Sequence, residues 1–219
     1  LVRQSGDYGW LGVEVFFVIS GFVIPYSLHR ARYRLRDFFM YLARRIVRLD
    51  PPYIAAIALI LLLAAVSSLK SGRPFEVDAE PVGWARVLLH LGYLNIFTTY
   101  AWLNPAFWTL AIEMQYYLLM GLVFPLVIAR TSVVRLTALG VMAAGSVLSE
   151  ARFFPTEPPF SPFIPGFLCL FLLGILTFQF RGGLIRVAEY LPALVVVAVA
   201  SVATLGRPSL DTASAGSPM

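Results

Sequence analysis

Cysteine, histidine and lysine are nearly missing from this chain, and each gap closes off a class of chemistry. The one cysteine, Cys169, lies inside an apolar run, which excludes an internal disulfide and a cysteine-built metal site. The two histidines, His29 and His90, share no His-x-x-x-His or related spacing, so no histidine-built metal site is expected either. Charge is scarce as well: 13% of residues are charged, against roughly a quarter in soluble domains. No Ser-His-Asp set and no phosphate-binding glycine loop is present, so hydrolase, nucleotide-dependent and zinc mechanisms lack their residues.

What fills the chain is apolar. Hydrophobic residues make up 59% of 219 positions, and the mean hydropathy is +0.79. These values describe a polytopic membrane protein: an all-α transmembrane helix bundle in one membrane-embedded domain over residues 1–219. Its net charge of +5 would point to nucleic acid in a soluble protein. Here the basic residues flank apolar runs and set topology, so lipid is the expected partner and nucleic acid is not.

Gly12 to Leu28 is long enough to cross the hydrocarbon. His29 to Asp50 follows with seven arginines against Asp37 and Asp50, which marks the cytoplasmic side. Phe38 to Leu42 mixes aromatic and apolar residues with that basic run, as in an amphipathic helix lying on the membrane surface. Pro51 and Pro52 are expected to end that helix and start a second span, Tyr53 to Leu69.

Val87 to Leu103 is apolar but broken by His90, Gly92, Asn95, Thr98 and Thr99. If it crossed, Arg130 and Arg135 would lie outside and Glu150 and Glu157 inside, inverting the positive-inside rule. It is read as a re-entrant or interfacial segment, with Tyr93, Tyr100, Trp102 and Trp108 in an outer aromatic belt. Phe107 to Ile128, Val133 to Ser149, Phe163 to Phe180 and Ala188 to Leu205 complete about six spans. Ala151 to Pro162, with four prolines, reads as an extended external loop.

Burial cost singles out three groups of residues. Glu113 lies well inside an apolar run, where a charged side chain costs about 2.5–3.5 kcal/mol on insertion scales and needs a partner, water or substrate. At helical spacing it shares a face with Thr109, Tyr116 or Tyr117, and Met120, beside Trp108. A structural, protonated carboxylic acid is the plainer reading of the same residue. Glu14 shares a face with Gly21 and Pro25, where a small residue permits close helix approach or room for a ligand; a solvated acid near the interface is the alternative. Arg45 and Arg48 project from adjacent turns, and guanidinium groups grip phosphate bidentately, so a phosphorylated donor is one reading and topology anchoring the other.

Three stretches together carry a resemblance: Gly12 to Ile24 (GVEVFFVISGFVI), Arg44 to Tyr53 (RRIVRLDPPY) and Leu103 to Tyr117 (LNPAFWTLAIEMQYY). In content, order and spacing they resemble the signature stretches of the acyltransferase family 3 integral-membrane enzymes. The resemblance implies transfer of an acyl group, usually acetyl from cytoplasmic acetyl-CoA, to a hydroxyl of an extracytoplasmic carbohydrate or lipid-linked glycan at the bacterial plasma membrane. It implies no bound cofactor beyond the acyl-CoA donor. Arg45 and Arg48 match the family's Arg-x-x-Arg motif, and Glu113 matches the acid of its Trp-Ser-Leu-x-x-Glu stretch, with Thr109 in place of serine. Glu14 matches a family acid, so Glu113 and Glu14 are the expected catalytic residues, and Trp108, Thr109, Tyr116 and Tyr117 are expected on the substrate path. The family's arginine and catalytic histidine lie on a preceding helix that neither His29 nor His90 matches. Since the family also has about ten helices, the chain is expected to be a fragment. The competing expectation is a transporter or lipid-handling protein with Glu14 and Glu113 lining a polar path.

Overall fold

The computed structural model describes residues 9–72, 74–77, 80–149 and 164–205. Seven helices carry it: α1 (Gly9–Arg30), α2 (Phe38–Ser71), α3 (Trp84–Leu91), α4 (Phe107–Val127), α5 (Ser132–Leu148), α6 (Leu168–Arg181) and α7 (Val187–Leu205). A two-residue hairpin pairs β1 (Glu76–Val77) with β2 (Glu80–Pro81) ahead of α3. Runs this apolar become helices because a chain in lipid must satisfy every backbone donor within itself. Among the described residues, four stretches are long and apolar enough to cross a membrane: Leu11–Arg30, Leu35–Ser71, Phe107–Val127 and Ile164–Arg181. Ser132–Leu148 and Val187–Val202 are apolar but shorter.

Helix α1 ends where Arg32 takes a left-handed φ of 50°. The Tyr33 N–H then reaches back to the Leu28 carbonyl at 3.0 Å, closing the last turn. That turn swings Tyr33 beneath the bundle, where its hydroxyl donates to the Gly121 carbonyl of α4 at 2.7 Å. Alongside, α1 runs parallel to α4, with Phe17 edge-on to Trp108 near one end and Tyr33 edge-on to Phe124 near the other. It is parallel to α6 too, Phe17 meeting Phe171 at 5.0 Å and His29 meeting Phe178 at 5.8 Å.

The α1–α6 approach depends on two glycines. A Cβ on Gly21 would lie 2.2 Å from the Phe171 carbonyl oxygen, and one on Gly174 would lie 2.2 Å from the Val18 oxygen. No side chain fits at either position, so backbones meet as small residues allow between membrane helices. The face carrying Glu14, Gly21 and Pro25 is thus committed at Gly21 to helix packing rather than to a ligand.

Helix α2 departs from expectation. Phe38 to Ser71 is one continuous helix of 34 residues, with Pro51 and Pro52 inside it. Both prolines are exposed, so no neighbouring helix contests the space their rings take. The basic half does not form a separate surface helix. It packs antiparallel along α4: a Cβ on Gly121 would touch the Tyr41 ring, Arg45 lies over Tyr117, and Tyr53 meets Phe107 at 4.7 Å. At 1.5 Å per residue α2 is about 51 Å long against a hydrocarbon core of about 30 Å, so it tilts or projects past the bilayer.

Because α1 and α4 are parallel, the chain between them turns back once, along α2, and α3 adds no crossing. At eight residues α3 is about 12 Å long, too short to span. That length is consistent with the non-crossing reading of Val87 to Leu103. Of the four residues expected in an aromatic belt, Tyr100 is exposed, while the other three are half-buried and pack on neighbours: Trp102 edge-on to His90, Tyr93 stacked on Tyr53 at 4.8 Å, and Trp108 on Phe17 and Phe167. The exposed apolar stripe of this region is instead Trp84, Leu88 and Leu91, one face of α3. Ala151 to Pro162 lies outside the described residues.

Candidate functional site

Helix α4 sets the site, because it carries Glu113 on its inward side, 7% exposed. One turn on, the Tyr117 hydroxyl donates to the Glu113 carboxylate at 2.5 Å. Helical spacing left Tyr116 and Tyr117 equivalent, and the fold separates them. Tyr116 stacks on Phe171 at 3.9 Å and is fully buried. Thr109 donates instead to its own Ala106 carbonyl at 2.8 Å, and Trp108 is held by aromatic packing. Of the four expected path residues, only Tyr117 bonds the carboxylate.

The far side of Tyr117 meets a cation. The Arg45 guanidinium carbon lies 5.4 Å from the Tyr117 ring centroid and 5.5 Å from that of Tyr41, within cation–π range of both. An Arg45 guanidinium N–H also donates to the Ser27 hydroxyl of α1. Arg45 forms no ion pair with Glu113 among the described residues; the tyrosine stands between them. Packing of α2 against α4 brings the two into one chain, Ser27–Arg45–Tyr117–Glu113.

Arg45 opens onto a cavity of about 530 Å³ lined by Ser27, Leu28, Ala31, Tyr33, Asp37, Met40, Tyr41, Arg44, Arg45 and Arg48. Three arginines against one aspartate give it an excess of positive charge, and forked guanidinium groups suit phosphate. Arg48 is exposed on the cavity wall. Sequence reading found Arg45 and Arg48 and missed Ser27, Tyr41 and Tyr33. Tyr41 lies one helical turn before Arg45, so its place was available from spacing once α2 was taken as continuous. Ser27 comes from another helix and left no such signal.

Glu14 is not part of this group. It is half-buried in the second turn of α1 and makes no hydrogen bond or ion pair among the described residues. His29 is exposed at the end of α1. His90 is fully buried, with Nδ1 2.7 Å from the Arg86 carbonyl and Nε2 accepting the Leu103 N–H at 3.0 Å. Those partners dictate a neutral ring protonated on Nδ1, which occupies both nitrogens in holding the entry to α4. Burial pushes its pKa below the usual imidazole value, against the bond to the Arg86 carbonyl and with help from the Arg86 charge. No cluster of three metal-ligating side chains occurs among the described residues.

The acyltransferase domain family model matches residues 9–213. O-acetyltransferase OatA of Staphylococcus aureus is 33% identical over 129 residues, covering 55% of this chain and 20% of that protein. An uncharacterized protein of Haemophilus influenzae is 32% identical over 126 residues, 53% of this chain and 48% of that protein. The chain thus spans about a fifth of one relative and about half of the other. No solved structure matches it significantly.

Proposed function

This chain belongs to the acyltransferase family, and on that footing we propose that it takes acetyl from acetyl-CoA in the basic cavity and delivers it to a carbohydrate hydroxyl. The observation that carries this reading is the Arg45–Tyr117–Glu113 chain, which connects an anion-binding cavity to a buried carboxylate. Arg45 and Arg48 hold the donor's phosphates, and Arg44 widens the positive field. Glu113 acts on the acceptor: it takes the proton as the hydroxyl oxygen attacks the thioester carbonyl, the acetyl stays on that oxygen as an ester, and the expelled thiolate receives the proton. Tyr117 orients that carboxylate and keeps it apart from Arg45, so the pair is not spent as an ion pair.

We place the six apolar helices as six crossings, in a bacterial plasma membrane, with the basic cavity cytoplasmic by the positive-inside rule. Transport through a polar path needs Glu14 and Glu113 together, and no interaction joins them among the described residues. The test is transfer of radiolabelled acetyl from acetyl-CoA to an oligosaccharide by the chain in nanodiscs. Replacing Arg45 and Arg48 with alanine is expected to raise the apparent donor Kd roughly a hundredfold or more, as loss of two charge-assisted contacts implies. Unchanged donor binding in the folded double variant defeats the assignment.

A further inference from the structure

A second cavity, of about 400 Å³, lies at the other end of α4, between the hairpin, α3 and the segment leading to Leu103. Glu80, Gly83, Arg86, Thr99 and Tyr100 are among the residues that line it. Its floor is built. Arg86 is 1% exposed, donates to the carbonyls of Val77, Glu80 and Ala101, and keeps its Nη1 3.8 Å from the Glu80 carboxylate. The carboxylate is fixed from the other side by the Ala101 N–H at 3.0 Å. The second guanidinium nitrogen, Nη2, is buried without a partner among the described residues. A cation with three of its five N–H groups engaged and both of those on Nη2 left over is a costly floor unless something polar completes it.

The rim differs from the floor. Tyr100 is 45% exposed, Thr99 is exposed, and the Glu80 side chain keeps 41% of its surface. An open aromatic ring, a free hydroxyl and a fixed carboxylate form a set that recognises a pyranose: the ring stacks on a sugar face while carboxylate and hydroxyl take its vicinal hydroxyls. A wall with one carboxylate and one neutralised guanidinium has no excess positive charge, which disfavours a phosphate ligand here, unlike the three-arginine cavity at the far end.

We propose that this cavity is a sugar-binding subsite for an uncharged pyranose of the acceptor glycan. The proposal rests on the acyl-transfer reading for the word acceptor, and on the cavity alone for sugar binding. From Phe107, at the entry of α4, to Glu113 is six residues, or about 9 Å of helix, and the cavity lies beyond Phe107. The bound sugar is therefore a neighbour of the acylated residue in the chain, not that residue itself. The exposed Trp84–Leu88–Leu91 stripe beside it seats the subsite at the lipid interface, within reach of a glycan carried on a membrane anchor.

The experiment titrates chitotetraose, and separately inorganic phosphate, into the chain in nanodiscs, read by saturation-transfer NMR. Saturable chitotetraose binding is expected, weakened roughly two- to tenfold by Tyr100→Ala and retained by Tyr100→Phe, which keeps the ring. Tyr100 is on the surface, and an unchanged thermal midpoint confirms that the variants fold. Absence of saturable sugar binding, binding of phosphate in its place, or equal affinity in Tyr100→Ala each overturns the proposal. Acetyl-CoA binding to the parent chain is measured in the same preparation. Donor binding without sugar binding removes the subsite and leaves the transfer reading, and sugar binding without donor binding does the reverse.

Discussion

Tyr117 decides how two opposite charges share one bundle without neutralising each other. Its hydroxyl donates to Glu113 and its ring lies against Arg45, so neither group is spent on the other. Tyr117→Phe removes only the first of these. Loss of a hydrogen bond to a charged group is worth about 1.5–3 kcal/mol, so kcat for acetyl transfer is expected to fall roughly ten- to a hundredfold while donor Kd stays near the parent value. Steady-state kinetics paired with a donor-binding assay separates the two effects; a matched rise in Kd would refute the division of labour. At His90 the sign of a pH effect follows from its partners. Its folded pKa lies below the unfolded value near 6.5, so the unfolded chain binds more protons between the two. The stability His90 contributes is full above about pH 6.5 and is lost as pH falls toward the folded value. Hydrogen exchange at the Leu103 amide, which His90 holds, is expected to accelerate across that window in the parent chain. No change in exchange there would mean that the ring stays neutral throughout.

At the scale of elements, the α1–α6 pair and the α2–α4 pair do different work. The first is a backbone-to-backbone contact, and Gly21→Ala or Gly174→Ala places a methyl within 2.2 Å of a carbonyl oxygen that cannot rotate away. Separation of the helices is expected to cost about 1–3 kcal/mol or more, read as a lower thermal midpoint in detergent, with Gly12→Ala as a harmless control because nothing lies within 4 Å of its Cβ. The second pair uses side chains to fix the register that joins Arg45 to Tyr117. It is latched at its far end by α3, where the Tyr53 hydroxyl donates to the His90 carbonyl at 2.9 Å and the Tyr93 hydroxyl to Asp50 at 2.9 Å. Tyr93 adopts a left-handed φ of 57° to do so, a conformation that disfavours a bulky residue and persists here under those contacts.

Across the whole molecule, two turns at the basic-cavity end are held by one buried side chain. Arg135 donates to the carbonyls of Ala129 and Arg130 in the α4–α5 turn, to the Ser132 hydroxyl, and to the Leu184 carbonyl in the α6–α7 turn. Arg135→Met strips four acceptors at once and is expected to cost about 2–4 kcal/mol, with protease sensitivity appearing at both turns together. Cleavage at one turn alone would show that the two are not coupled. A second tie, from Gln179 to the Val127 carbonyl at 2.8 Å, joins the ends of α6 and α4 nearby.

What the residues alone determined is everything that depends on hydropathy, charge balance and local spacing. Those properties dictate a helical membrane protein, the basic end, and Glu113 as a residue needing a partner. They act within one helix or one loop, so a linear reading captures them. Which tyrosine serves Glu113, whether Glu14 belongs with it, and whether two prolines break α2 depend on neighbours distant in the chain. A hydroxyl one turn from a carboxylate is equally near at position 116 or 117 until another helix claims one of them, and Phe171 claims Tyr116. The Arg45–Tyr117–Glu113 connection therefore exists only in the packed bundle, because the α2–α4 register that makes it is set by contacts between segments some seventy residues apart.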